Sequence, residues 1–179
     1  MGELMQNARR AGASYVAFDY CADTNTLTVT DDGCGIDTLE TLLTVAESGW
    51  DVELIAKEHA FGVGFLSAIF ACRHLGLSSK GGCFSVDTDH ILGFQPVEVL
   101  PVTDWNGLTE IRLVDIVHGP LENTLAELAA GFPIPVHFNG VPLPRPNAID
   151  SIGAAEFVAS PVGVVSRNRR KFCHAKIGL

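Results

Sequence analysis

Glu3 and Asn7 stand four residues apart in the opening segment GELMQNARR, so on a helix their side chains share one face. A carboxylate in that position can polarise an attacking water as a general base. An amide oxygen beside it can join the oxygen shell of Mg2+. A solvated helix face carries the same residue types, so the pair alone does not decide between the two. Asp31-Asp32-Gly33-Cys34-Gly35 directly follows a β-branched run. A carboxylate at a strand end can accept a hydrogen bond from an exocyclic amine, and glycines let backbone approach a flat ring. A plain Asp-Gly turn is the alternative. Phe61-Gly62-Val63-Gly64 precedes an apolar segment. Free N–H groups at a helix N-terminus favour an anionic phosphate, although glycine turns before helices also serve packing alone.

The elements that must position these residues follow from periodicity. Leu4, Ala8 and Ala11 have helical spacing over residues 3–11, and Gly12 stops the helix. Residues 15–20 and 27–30 read as two strands of a hairpin, turning at 23–25. Residues 39–46 form a short amphipathic helix closed by Ser48-Gly49, 50–60 a connector, and 65–72 an apolar helix. Strands are expected at 84–86, 97–100 and 108–114, and a helix at 121–130 stopped by Gly131. Residues 135–143 make a hairpin around Asn139-Gly140, and from Pro144 the pattern loosens into a tail.

The chain has 179 residues, 47% of them hydrophobic and 18% charged, which supports a packed core and excludes wholesale disorder. The net charge of −9 argues against a generic cationic nucleic-acid coat. The basic run at 167–171 is the one feature suited to nucleic acid, and most such runs are simply solvated. Five cysteines without a CxxC pair point to reduced thiols rather than disulfides or a zinc site. No signal peptide and no 18-residue apolar run are present, so a soluble, cytoplasmic protein without membrane contact is expected.

Taken together, ELMQNARRAGA, TVTDDGCGI and AFGVGFLSAIF resemble the GHKL ATPases, which include DNA gyrase B, the ninety-kilodalton heat-shock chaperones, sensor histidine kinases and MutL. The family's ExxxN motif is matched by Glu3 and Asn7, its DxGxG motif by Asp31, Gly33 and Gly35, and the last two glycines of GxxGxG by Gly62 and Gly64. FGVGFLSAIF, TVAESG and SSKGG are most similar to the chaperone branch, with MutL-like and gyrase B-like features. The resemblance spans about residues 3–113.

The resemblance implies that Glu3 activates the hydrolytic water and that Asn7 binds Mg2+. Asp31 would hydrogen-bond the adenine amino group, with Gly33 and Gly35 near the base. Gly62, Val63, Gly64 and Phe65 would surround the phosphates, and a lid including Ser48, Gly49 and Lys57 would close over ATP. Thr109, in GLTEIRL, would support Asp31. His59 stands where the third motif usually begins with Gly, and Arg10 where many members carry Asp. The chain also begins at the first motif, ahead of which members usually carry a further segment. ATP binding is therefore a firmer expectation than hydrolysis.

The expected fold is an α/β (α+β) two-layer sandwich, the Bergerat ATP-binding fold: a mixed, mainly antiparallel sheet with helices on one face. The strict βαβ alternation of a doubly wound sheet is absent. Residues 1–115 would form the ATP-binding core, with 116–179 either continuing the sandwich or starting a transducer-like segment. The expected function is Mg-dependent binding and slow hydrolysis of ATP, releasing ADP, as a conformational switch acting on a protein partner or a second copy. The alternatives are a non-catalytic nucleotide-binding scaffold or a histidine kinase catalytic domain.

Overall fold

The computed structural model describes residues 1–40, 42, 68–117 and 119–148, together with the backbone of three further strands between 156 and 173. The segments expected to form the lid and the third glycine motif lie outside the described residues.

Helix α1 (Gly2–Arg10) buries Leu4, Met5 and Ala8. Glu3 in its first turn and Arg9 and Arg10 in its last both complement the helix dipole. The helix closes in a Schellman arrangement. Gly12, with φ +73°, donates its N–H to the Arg9 carbonyl, and Ala13 donates to Ala8. Strands β1 (Val16–Cys21) and β2 (Thr26–Asp31) then pair antiparallel, with Phe18 opposite Val29.

Strands β3 (His74–Ser79), β4 (Gly82–Asp87), β5 (Thr109–Val114), β6 (Val136–Phe138) and β7 (Val141–Pro142) complete a seven-stranded sheet of order β4-β3-β5-β2-β1-β6-β7. Every neighbouring pair is antiparallel except β1 and β6, so the sheet is mixed. Helix α2 (Thr88–Leu92) follows β4, and α3 (Leu121–Ala129) precedes β6. The fold is α+β, with few helices against a large sheet. Strands β8 (Glu156–Ser160), β9 (Gly163–Asn168) and β10 (Lys171–Cys173) form a separate antiparallel sheet.

Register sorts the large sheet into two unlike faces. Residues directly opposite one another in a ladder point the same way, and successive residues alternate. Val16, Phe18, Leu27, Val29, Leu75, Leu77, Phe84, Ile111 and Leu113 therefore share one face. That face and the buried sides of α1 and α3 belong to a single core. Thr28, Thr30, Gly76, Ser85, Glu110 and Arg112 share the opposite, polar face. Full burial of a side chain such as Phe18 contributes roughly 1.5–3 kcal/mol.

Several expectations need correction. His74–Ser79 is a strand that local pattern did not reveal, because Gly76 interrupts a short alternation of Leu75 and Leu77. Residues 97–100 do not form a strand. Flanked by Pro96 and Pro101, they contribute one bridge, in which Leu100 and Cys83 exchange backbone hydrogen bonds of 2.8 Å. α2 was not anticipated, and the expected loose tail contains β8 to β10. The Asn-Gly hairpin forms as expected, with φ +48° at Asn139 and +74° at Gly140, as its tight turn requires.

Candidate functional site

At one end of the apolar face, hydrocarbon gives way to polar groups. Asp31, the last residue of β2, stands opposite Thr109, the first of β5. Ser79 ends β3 on the other side of Thr109, and the two buried hydroxyls are 2.8 Å apart. The Ile36 N–H donates to Ser79 Oγ at 2.9 Å. The hydroxyl pair therefore ties the loop after β2 to the ends of two neighbouring strands.

That loop is also fixed from α1. The Cys34 N–H donates to the Ala11 carbonyl at 2.9 Å. A Cβ added at Gly33 would lie 2.6 Å from Ala11 Cβ, so only glycine permits this approach. The Gly33 N–H donates to Asp31 Oδ1 at 2.9 Å. Gly35, at φ +75°, turns the chain beneath Trp105. A Cβ there would meet the indole at 2.8 Å, and the indole N–H is held by the Leu108 carbonyl at 2.6 Å.

These contacts leave a pocket between α1, the loop and the sheet. Its polar lining is Asn7, Asp31 and Thr109, and its walls include Leu4, Val29, Leu77 and Ile111 with the Gly35-Ile36 backbone. Burial pushes the Asp31 carboxyl above its ordinary range, and the neighbouring Asp32 charge adds to this, against the Gly33 hydrogen bond. The next residue behaves oppositely. Partial burial would raise Asp32, but hydrogen bonds from the Ser14 hydroxyl, the Tyr15 N–H and the Ser14 N–H outweigh it and hold Asp32 below the ordinary range. The two adjacent carboxylates thus divide into a half-desolvated group in the pocket and a structural one bracing the start of β1.

Of the residues expected at a site, Asn7, Asp31, Gly35 and Thr109 meet in this pocket. Glu3 is exposed on α1, one turn before Asn7, and is not among the lining residues. Gly33 serves the contact with α1 rather than the pocket wall. Gly62, Val63, Gly64, Phe65, Ser48, Gly49 and Lys57 lie outside the described residues. Lys80, beside this loop, is exposed and paired with Asp37 at 2.7 Å, and this partner raises its pKa.

Ser79 and Trp105 were not anticipated. The alternation Leu75, Leu77, Ser79 was the available signal for the first, since it puts the hydroxyl on the apolar face. Nothing local marked Trp105, whose contact with Gly35 joins residues far apart in sequence. Among the described residues, no group of three or more His, Cys, Asp or Glu side chains could hold a metal ion. Asn7 offers one amide oxygen, a donor set that fits Mg2+ only when most of its ligands arrive with a phosphate-bearing molecule. No helix among the described residues is long and apolar enough to cross a membrane. No protein-family model matches the chain, and neither does any curated protein.

Proposed function

We propose that this pocket binds the adenine nucleotides ATP and ADP, and that the chain is a GHKL-type ATPase with the Bergerat fold, hydrolysing ATP slowly as a conformational switch. The observation that carries this reading is the half-buried Asp31 carboxylate, set among aliphatic side chains with Thr109 opposite and Asn7 above. A flat heteroaromatic ring would lie on the row of register partners Val29, Ile111 and Leu77, which line one wall of the pocket. One Asp31 oxygen is engaged by the Gly33 N–H, which leaves the other to accept from the adenine amino group. Guanine carries a carbonyl oxygen at that position and would face the carboxylate lone pair to lone pair.

In this reading Asn7 would offer its amide oxygen to Mg2+ arriving with the nucleotide, and the ion would neutralise phosphate charge. Thr109 and Ser79 keep the Ile36 N–H and the loop in place beneath the ring. Glu3 orients and deprotonates the attacking water from one turn earlier on α1. Ordering of a lid by bound ATP would change the surface offered to a protein partner or a second copy.

Calorimetric titration with ATP and ADP, with and without Mg2+, tests binding. Saturable heat whose affinity Asp31→Asn weakens at least tenfold supports the pocket, and the absence of binding in folded protein withdraws the proposal. Turnover is tested separately by Glu3→Ala. The exposed position of Glu3 favours a second reading, a nucleotide-binding scaffold without hydrolysis. Equal ATPase rates in wild type and Glu3→Ala, with binding intact, would establish it.

A further inference from the structure

The opposite face of the sheet carries a second constellation, unrelated to the pocket. His74 on β3 is the register partner of Asp87 on β4, and Ser85 lies two residues before Asp87 on the same face. His74 Nδ1 is 2.7 Å from Asp87 Oδ1, and His74 Nε2 is 2.8 Å from Ser85 Oγ. A carboxylate can only accept, so Nδ1 carries the hydrogen. In neutral imidazole Nε2 is then the acceptor for the Ser85 hydroxyl. This is the hydroxyl–imidazole–carboxylate relation that activates a serine nucleophile, in which the carboxylate fixes the tautomer and steadies the imidazolium.

The backbone supports the same chemistry. Cys83 exchanges both its hydrogen bonds with Leu100 at the outer edge of β4. Ser85, two residues on, therefore also directs its N–H away from β3, toward the outer edge of β4. The N–H of the attacking residue is one of the two donors of a serine protease oxyanion hole. Gly76 is the register partner of Ser85, and a Cβ there would sit 3.7 Å from Ser85 Oγ and 3.4 Å from Arg112 Cβ. The missing side chain leaves space beside Ser85 Oγ that a single methyl group would fill in ordinary van der Waals contact. Ser85 and Asp87 are exposed, so a reagent reaches them directly.

We propose that Ser85 is an activated nucleophile that accepts acyl groups from small activated esters. His74 Nε2 takes the Ser85 proton as Oγ bonds to the ester carbonyl carbon. The carbon–oxygen bond to the alcohol then breaks, and the alcohol leaves with the proton from His74. Water, deprotonated by His74, attacks acyl-Ser85, and the acid departs as the proton returns to Oγ. The groups facing His74 are Asp87 and Ser85 on β4 and, from β5, Val114 opposite and Arg112 diagonally placed.

The test treats the full chain with 4-nitrophenyl acetate, or with diisopropyl fluorophosphate, which loses fluoride on reaction, and maps the adduct by peptide mass spectrometry. The expected result is one adduct on Ser85, absent in Ser85→Ala and formed at least tenfold more slowly in His74→Gln and Asp87→Asn. Gly76→Ala, which fills the space beside Ser85 without a positive φ, should slow acylation while leaving the melting temperature unchanged. No adduct at Ser85, or a rate indifferent to His74→Gln in a variant that melts like wild type, would overturn the proposal.

Discussion

Asp31 and Thr109 face each other across the β2–β5 ladder, where the apolar face of the sheet ends. The position gives Asp31 an acceptor role at the cost of desolvation, so Asp31→Asn should have two effects of opposite sign. Hydrogen bonds to charged groups are worth about 1.5–3 kcal/mol, so losing the carboxylate should weaken ATP binding by roughly 10- to 150-fold. The same variant should melt higher than wild type at pH 7, because the amide has no charge to desolvate and still accepts from the Gly33 N–H. Titration calorimetry and thermal melts of one sample would check both. A variant that melts lower would mean that other groups around the pocket compensate the buried charge.

The pH dependence separates the two neighbouring carboxylates. Asp31 has a raised folded-state pKa, so its contribution to stability is present below the ordinary carboxylate range and is lost as pH rises through the folded value. Asp32 has a depressed one, so its contribution is present above about pH 4 and is lost as pH falls through the folded value. The advantage of Asp31→Asn over wild type should shrink on acidification. Asp32→Asn should melt lower than wild type at pH 7 and converge with it in acid. ATP affinity should also fall as Asp31 protonates. Melting curves between pH 3 and 8, set as an experimental range of about five units around these groups, would reveal the crossing.

The hydroxyl pair sets up a stability test independent of any ligand. Thr109→Val keeps shape but leaves Ser79 with one fewer partner, and Ser79→Ala strands the Ile36 N–H as well. A buried group left unsatisfied costs about 1–3 kcal/mol, so both should lower the melting temperature by several degrees. Thr109→Ser, which retains the hydroxyl, should lose less. If Ser79→Ala proves neutral in melts, the Ile36 N–H is finding another acceptor.

Local pattern carried some of this site and not the rest, for a physical reason. Asn7 and Asp31 were legible because each sits at a fixed place within one element: a helix face for the first, a strand end for the second. Thr109 was legible through its motif, and its burial follows from the alternation that also buries Leu113. Ser79 was hidden because its partner is thirty residues away and Gly76 weakens the strand that delivers it. Gly33 was expected beside a ligand, yet it serves the approach of loop to helix, a contact between segments that pattern within either one cannot reveal. The His74–Asp87 pair likewise exists only through cross-strand register.

Gly33→Ala should therefore act on the site at a distance. Its Cβ would fall 2.6 Å from Ala11 Cβ and 3.0 Å from the Ala11 carbonyl oxygen, so the loop must lift off α1 and strain the Cys34 N–H bond to Ala11. Overpacking of this kind costs about 1–3 kcal/mol. Helical content should be retained in far-ultraviolet circular dichroism while the melting temperature falls and ATP affinity drops with it. Unchanged affinity would show that the loop can shift without moving Asp31.

Trp105 offers a direct optical reading of the same loop. Its indole rests on Gly35, which lines the pocket, and its N–H is pinned by the Leu108 carbonyl just before Thr109. A ring entering beside Gly35 must press on the backbone that the indole covers, and indole emission responds to such changes in packing and polarity. The chain has two tryptophans, so Trp50→Phe isolates the signal. In that background ATP should change Trp105 emission saturably, with the midpoint found by calorimetry, and GTP should do so only at concentrations at least tenfold higher. Asp31→Asn should shift the midpoint by the factor lost in calorimetric affinity. Emission indifferent to ATP, in protein that binds ATP by calorimetry, would place the nucleotide away from Gly35 and against a different wall of the fold.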